Sequence, residues 1–197
     1  MSYTIVGLGN PGKEYENTRH NSGRIVLDRV RAEYGGDFEF DKKLNALVAR
    51  GKIGKEKIAL VVPETFMNNS GKAVKLLVKN PKAAEKLIVI HDDFNLPLGR
   101  MKISFNRSSG GHKGLESVIR AVKTKAFARI RVGTAAADTR GEAKIPHGDD
   151  KIERFILGKF KDEELKVLKK VAKKATKAVE MIVKEGREKA MSVFNAG

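Results

Sequence analysis

The sequence predicts an α/β fold: a single three-layer domain over residues 1–197, with a mixed, mainly parallel central sheet flanked by helices. Short apolar runs, Ile5-Val6-Gly7-Leu8 and Leu87-Ile88-Val89-Ile90 above all, have the length and composition of buried strands. They alternate with segments of helical periodicity, an order that places helices over a mainly parallel sheet. A glycine-containing turn near Gly54 joins two strand-like runs as a hairpin and makes the sheet mixed. At 197 residues the chain is long enough for one well-buried core.

Taken in order, the first strand ends in a polar loop running to Asn21. A helix over Ser22 to Tyr34 follows, with apolar Ile25, Val26, Val30 and Tyr34, Ser22 as its N-cap and Gly35-Gly36 as its stop. The hairpin strands are Ala46 to Arg50 and Lys57 to Val62, and Pro63 ends the second. A polar stretch from Glu64 to Gly71 leads into a short helix over Lys72 to Lys79. The run Leu87 to Ile90 breaks off in His91-Asp92-Asp93, and Pro97 and Gly99 turn the chain into a strand over Met101 to Phe105. The glycine-bearing loop Ser108 to Gly111 precedes a helix over Lys113 to Val122, and Arg129 to Val132 is the last strand. Residues 134–150 read as a long irregular surface loop. The final helix places Leu165, Leu168, Ala172, Ala175, Val179 and Ile182 on one face and lysines 166, 169, 170, 173 and 177 mainly on others.

Composition narrows the function. Hydrophobic residues at 41% with charged residues at 32% indicate a soluble globular chain, and no apolar run approaches the roughly 20 residues of a membrane span. There is no cysteine and no basic-then-apolar leader, so a cytoplasmic location is the simplest expectation. A formal charge of +16 favours a polyanionic partner over a lysine-rich surface that serves only solubility. Aromatic residues are 6% with no Trp, which favours phosphate contact with structured nucleic acid over serial base stacking.

The motifs narrow it further. Gly7-Leu8-Gly9-Asn10-Pro11-Gly12 matches a dinucleotide fingerprint in letters, but no apolar helical face appears before Ile25. A tight, substrate-facing turn is the better account, and no dinucleotide is expected. His20 lies in the polar loop and Asp92 leaves the end of another central strand. If those strands are neighbours, carboxylate and imidazole meet as an oriented general base. Of Asp92 and Asp93, alternation sends one inward without saying which. The same alternation weakens a metal site built from His91, Asp92 and Asp93, so no metal is expected. No Gly-x-Ser-x-Gly elbow is present, which leaves hydrolysis by activated water.

Together these segments resemble bacterial peptidyl-tRNA hydrolases over nearly the whole length. The matching stretches are GLGNPG with Tyr15 and TRHN, Thr65-Phe66-Met67-Asn68 with Ser70-Gly71, HDD with LPLG, SSGGHKGL, RIRVG, FILGKF and VFN near the end. The resemblance implies hydrolysis of the ester of peptidyl-tRNA by a cytoplasmic monomer that needs no cofactor and no membrane. It makes His20 the base that activates water and Asp92 its orienting partner. It makes Asn10 and Asn68 the amides that hold the substrate and polarise its carbonyl, and Met67 an apolar wall. Tyr15, His112 and Lys113 join the substrate-binding set, and Lys102 and Arg131 match basic positions near the acceptor stem.

Two departures stand out. Lys113 occupies the position after Gly110-Gly111-His112 where the family usually carries Asn, and the stretch from Ala135 to Asp150 is longer than the family pattern suggests. Relatives that became RNA-binding splicing factors supply the alternative, a non-enzymatic RNA-binding protein.

Overall fold

The computed structural model describes residues 2–196. Seven strands form one sheet: β1 (Tyr3–Gly7), β2 (Glu39–Asp41), β3 (Ala46–Ile53), β4 (Glu56–Pro63), β5 (Leu87–Pro97), β6 (Met101–Phe105) and β7 (Ala128–Ala135). Their spatial order is β2-β3-β4-β1-β5-β7-β6. Parallel pairing joins β4, β1, β5 and β7. The β3–β4 hairpin and the β6–β7 pair are antiparallel, so the sheet is mixed as expected.

The helices are α1 (Ser22–Tyr34), α2 (Gly71–Leu77), α3 (Pro81–Ala84), α4 (Lys113–Val122), α5 (Asp149–Leu157), α6 (Asp162–Glu185) and α7 (Arg187–Asn195). Strand alternation divides the core into two clusters. Ile88 and Ile90 of β5 join Leu27 and Val30 of α1 and Ala175 and Val179 of α6. Leu87 and Val89 join Val74 of α2 and Val118 of α4. The sheet is thus covered on both faces, which explains why β1 and β5 read as continuous apolar runs. The lysines 166, 169, 170, 173 and 177 of α6 are exposed.

Several expectations change in detail. The run from Leu87 does not break off at His91 but continues as β5 through Asp92 and Asp93 to Pro97. The stretch 134–150 is not irregular throughout, because β7 runs on to Ala135 and α5 begins at Asp149. Ser22 is the first helical residue of α1 rather than its cap, and its Oγ donates to the Arg19 carbonyl at 2.7 Å. Gly7 serves helix packing rather than a substrate-facing turn: a Cβ there would lie 2.5 Å from the Gly23 carbonyl oxygen. Gly23 is equally tight, since its Cβ would lie 2.3 Å from the Ile90 carbonyl oxygen. This mutual absence of side chains presses the start of α1 onto the carboxyl ends of β1 and β5. The residues just before α1 are thereby placed beside the residues just after Ile90.

Candidate active site

The loop from Leu8 to Asn21 folds as two short 3₁₀ turns, Lys13–Tyr15 and Arg19–Asn21. The side chain of Asn21 holds the main chain of Asn10 at both ends: Asn10 N–H donates to Asn21 Oδ1 at 2.8 Å, and Asn21 Nδ2 donates to the Asn10 carbonyl at 3.0 Å. Asn10 Oδ1 in turn accepts the Met67 backbone N–H at 2.8 Å. Its carbonyl half is therefore used within the fold, while its NH₂ half has no partner among the described residues. Arg19 anchors the other end of the loop by donating to the Gly158 and Lys159 carbonyls and to both oxygens of Glu164.

His20 and Asp92 meet as the sequence suggested. His20 Nδ1 lies 2.9 Å from Asp92 Oδ1 and 3.1 Å from Oδ2, and both residues are buried. Asp92 faces the α1 side of the sheet, sharing it with Ile90 and Ile130. Asp93 faces the opposite way and accepts from Arg131 Nε at 2.6 Å. Burial works to raise the Asp92 carboxyl, but the two imidazoles His20 and His112 outweigh it and hold the group well below the usual carboxylate range.

His112 fixes its own tautomer. As N-cap of α4 its Nδ1 accepts the backbone N–H of Gly114 and of Leu115, each at 3.2 Å, so that nitrogen carries a lone pair. The proton of the neutral ring must then sit on Nε2, which donates to Asp92 Oδ1 at 3.0 Å. His20, His112 and Asp92 have donor atoms within 4.8 Å of one another, a spacing that could suit a metal ion. The cap argues against that use, because His112 Nε2 can bind a metal only by giving up its proton and so disturbing Nδ1. The three groups fit a hydrogen-bonded network better than a ligand set.

Every residue that the sequence put forward lines one cleft of about 1070 Å³ at the carboxyl ends of the parallel strands. Met67 is nearly buried, under the first turn of α4, where a Cβ on Gly114 would lie 2.4 Å from Met67 Sδ. Asn68 is exposed at the rim. Tyr15 meets the exposed ring of Phe66 edge-on, with centroids 6.4 Å apart. Lys113 opens α4 as an exposed side chain.

Comparison with known proteins identifies the lineage. The family model described as peptidyl-tRNA hydrolase matches residues 4–197. The chain belongs to the peptidyl-tRNA hydrolase family. A peptidyl-tRNA hydrolase from Thermodesulfovibrio yellowstonii is 38% identical over 194 residues, covering 97% of each chain. One from Geobacter sp. strain M21 is 42% identical over 193 residues, covering 98% of this chain and 97% of the relative. The crystal structure of peptidyl-tRNA hydrolase from Acinetobacter baumannii superposes with a TM-score of 0.86 at 28% identity, covering 99% of this chain and 95% of that one.

In this peptidyl-tRNA hydrolase fold the cleft has a basic floor. Lys102 of β6 is paired in register with Arg131 of β7, and Ser104 with Arg129, so these side chains share one face at the end of the sheet that α2 and α4 leave uncovered. Among the described residues Lys102 has no ion-pair partner. Arg131 is held at Nε by Asp93, and among the described residues its terminal NH₂ groups have no hydrogen-bond partner. Among the described residues no helix is long and apolar enough to cross a membrane.

Other residues that shape this cleft were given no role by the sequence beyond a disfavoured metal site at His91. His91 is buried, with Nδ1 donating to the Asp92 carbonyl at 2.7 Å and Nε2 without a partner among the described residues. Burial, reinforced by His112, pushes its imidazole down to about 3. Helix α5 contributes Ile152, Ile156 and Leu157 to the wall. Its signal was present in the spacing of Ile152, Phe155 and Ile156 after Asp149-Asp150, with Gly158 as a stop.

Proposed function

We propose that the chain hydrolyses the ester joining the peptide's C-terminal carbonyl to the terminal ribose of peptidyl-tRNA. The whole chain acts as one domain, a cytoplasmic monomer without a cofactor. The observation that carries the reading is the contact of His20 Nδ1 with Asp92 inside a cleft whose floor is basic. With Nδ1–H directed at an ionised carboxylate, the lone pair of His20 is left on Nε2, which has no partner among the described residues.

A water held by Nε2 gives up a proton to it as the water oxygen adds to the ester carbonyl. Asp92 stabilises the imidazolium that forms and keeps the ring oriented. When the carbon–oxygen bond to the ribose breaks, the proton on Nε2 passes to the departing oxygen and the imidazole is restored. The free NH₂ group of Asn10 and the amide of Asn68 supply neutral donors for the developing oxyanion. Met67 walls the cleft, Tyr15 and Lys113 border the substrate, and His112 steadies Asp92 from the other side. Lys102 and Arg131 take up acceptor-stem phosphate.

The alternative, an RNA-binding protein without activity, would have no need for the buried His20–Asp92 contact. Incubating the purified protein with N-acylated aminoacyl-tRNA and with the unblocked form tests the reading. Rapid release of N-acyl amino acid from the acylated substrate, with no cleavage of the unblocked form, is expected; tRNA binding without cleavage would turn the assignment to the RNA-binding alternative.

A further inference from the structure

Residues Asn106 to Gly111 carry the chain from β6 to His112 without burying a single side chain. Asn106, Gly110 and Gly111 all have positive φ, at 53°, 61° and 82°, and a Cβ on either glycine would meet nothing within 4 Å. Little side-chain burial therefore holds this segment in place. At its far end His112 is fixed by its N–H, which donates to the Ser109 carbonyl at 3.2 Å, and by its cap on α4. At its near end the fixing group is Arg129.

Arg129 lies on β7 with 2% of its surface exposed, its guanidinium 4.8 Å from the centre of the Phe127 ring. It donates from NH1 to the Ser108 carbonyl at 2.6 Å and from NH2 to the Arg107 carbonyl. Two consecutive carbonyls gripped by one planar fork leave the peptide unit between them little freedom. The arrangement is costly, because among the described residues no carboxylate pairs with this buried cation and its Nε has no partner. Burial, together with the like charge of Arg131, pushes the Arg129 guanidinium down to about 10. A buried cation without a carboxylate partner is a cost to the fold rather than a gain. Its consequence falls instead on the loop, and through the loop on the group 3.0 Å from Asp92.

We propose that Arg129 is a positioning residue for the reaction: it clamps the Arg107 and Ser108 carbonyls so that the loop delivers His112 to Asp92 in register. It acts through the loop and not through the substrate, so its effect falls on kcat rather than on tRNA affinity. The kinetic part of this inference rests on the proposed hydrolysis; the loop clamp does not.

The test compares Arg129→Met, Arg129→Lys and wild type in two measurements. In single-turnover and steady-state cleavage of N-acylated aminoacyl-tRNA, Arg129→Met is expected to lose at least tenfold in kcat. Its tRNA dissociation constant should stay within about threefold and its melting temperature should not fall. Arg129→Lys, which keeps the charge but replaces the fork with a single ammonium, should recover only part of the rate. In amide hydrogen exchange, which needs no activity, Gly114 and Leu115 should exchange at least tenfold faster in Arg129→Met, while Val118 and Val122 within α4 stay protected. Unchanged exchange at Gly114 and Leu115 would overturn the clamp itself. A loss of tRNA affinity matching the loss of rate would make Arg129 a substrate contact instead. Full rescue by Arg129→Lys would show that charge, not the fork, is what matters, and would equally overturn the proposal. Should Arg129→Met not fold, the Arg129→Lys exchange and kcat measurements decide by the same criteria. If wild type cleaves no substrate but the exchange result holds, the clamp stands and the hydrolase reading fails.

Discussion

His20 and His112 meet on one oxygen of Asp92, at 2.9 Å and 3.0 Å, and they approach it with different ring nitrogens. His20 uses Nδ1 and keeps Nε2 for the cleft, whereas His112 uses Nε2 because the first turn of α4 occupies its Nδ1. One imidazole is therefore available as a base and the other is committed as a donor. The expected consequence for turnover is direct. His20→Ala should lose about 10²–10⁴-fold in kcat with tRNA affinity nearly intact, and Asp92→Asn should also slow the reaction. Wild-type turnover in His20→Ala, measured under single-turnover conditions, would rule out the assigned base.

His112 joins two roles that substitution separates. In His112→Asn the short amide still caps α4 but does not reach Asp92, so stability should stay close to wild type while the rate falls. His112→Ala removes the cap as well and should cost about 1 kcal/mol in addition. Equal melting temperatures for the two variants would show that the cap contributes nothing.

His91 makes stability depend on pH. Its folded-state value is depressed to about 3, below the ordinary 6.5 of the unfolded chain, so between these limits the unfolded state binds more protons. Stability from this group is thus complete above pH 6.5 and declines as pH falls towards 3, by up to roughly 1.4 kcal/mol per unit. Asp92, held low, contributes its full share above the unfolded carboxylate value and loses it progressively as pH falls from there towards the depressed folded value. Denaturant unfolding of wild type and His91→Asn between pH 4 and 6 isolates the first effect; parallel curves for the two proteins would refute it.

Lys102 and Arg131 govern the salt response. Each phosphate neutralised contributes a slope of about −0.9 in log K against log salt on duplex DNA, and structured RNA should be of similar order. Lys102→Ala should reduce the slope without altering kcat at saturating substrate. Arg131→Ala should do the same while also releasing Asp93 from its ion pair. Salt-independent affinity would mean that the basic floor serves something other than tRNA.

Lys113 is exposed at the start of α4, where the positive end of the helix dipole offers it no favourable partner. Lacking an acceptor, it cannot hold an attacking water as an amide would, yet it reaches a phosphate readily. Lys113→Asn should therefore raise kcat and weaken tRNA binding modestly. Lower kcat with unchanged binding would instead identify Lys113 as a donor to the reacting carbonyl.

Much of this architecture is written locally. Burial on both faces makes Ile5–Leu8 and Leu87–Ile90 continuously apolar, and one-sided burial gives α6 its period, so strands and helices were legible in order. The polar residues near the carboxyl ends of the strands were legible as a site for the same reason: His20, Asp92 and Asn10 sit where an apolar core cannot use them. Helix α5 was harder to see, because it buries no residue fully and its apolar side faces the cleft rather than the core. Other features are long-range by nature. Alternation sends Asp92 and Asp93 to opposite faces, but which face carries α1 is decided by packing, where Gly7 and Gly23 let the helix settle against β1 and β5. The tautomer of His112, the buried ring of His91 and the grip of Arg129 on a loop some 21 residues away in sequence exist only once the chain is packed. The sequence by itself determined which elements form and which residues are free to do chemistry, since both follow from local burial. Only the tertiary structure decided which of those residues face each other and which nitrogen carries each proton, because both depend on hydrogen-bond partners distant along the chain.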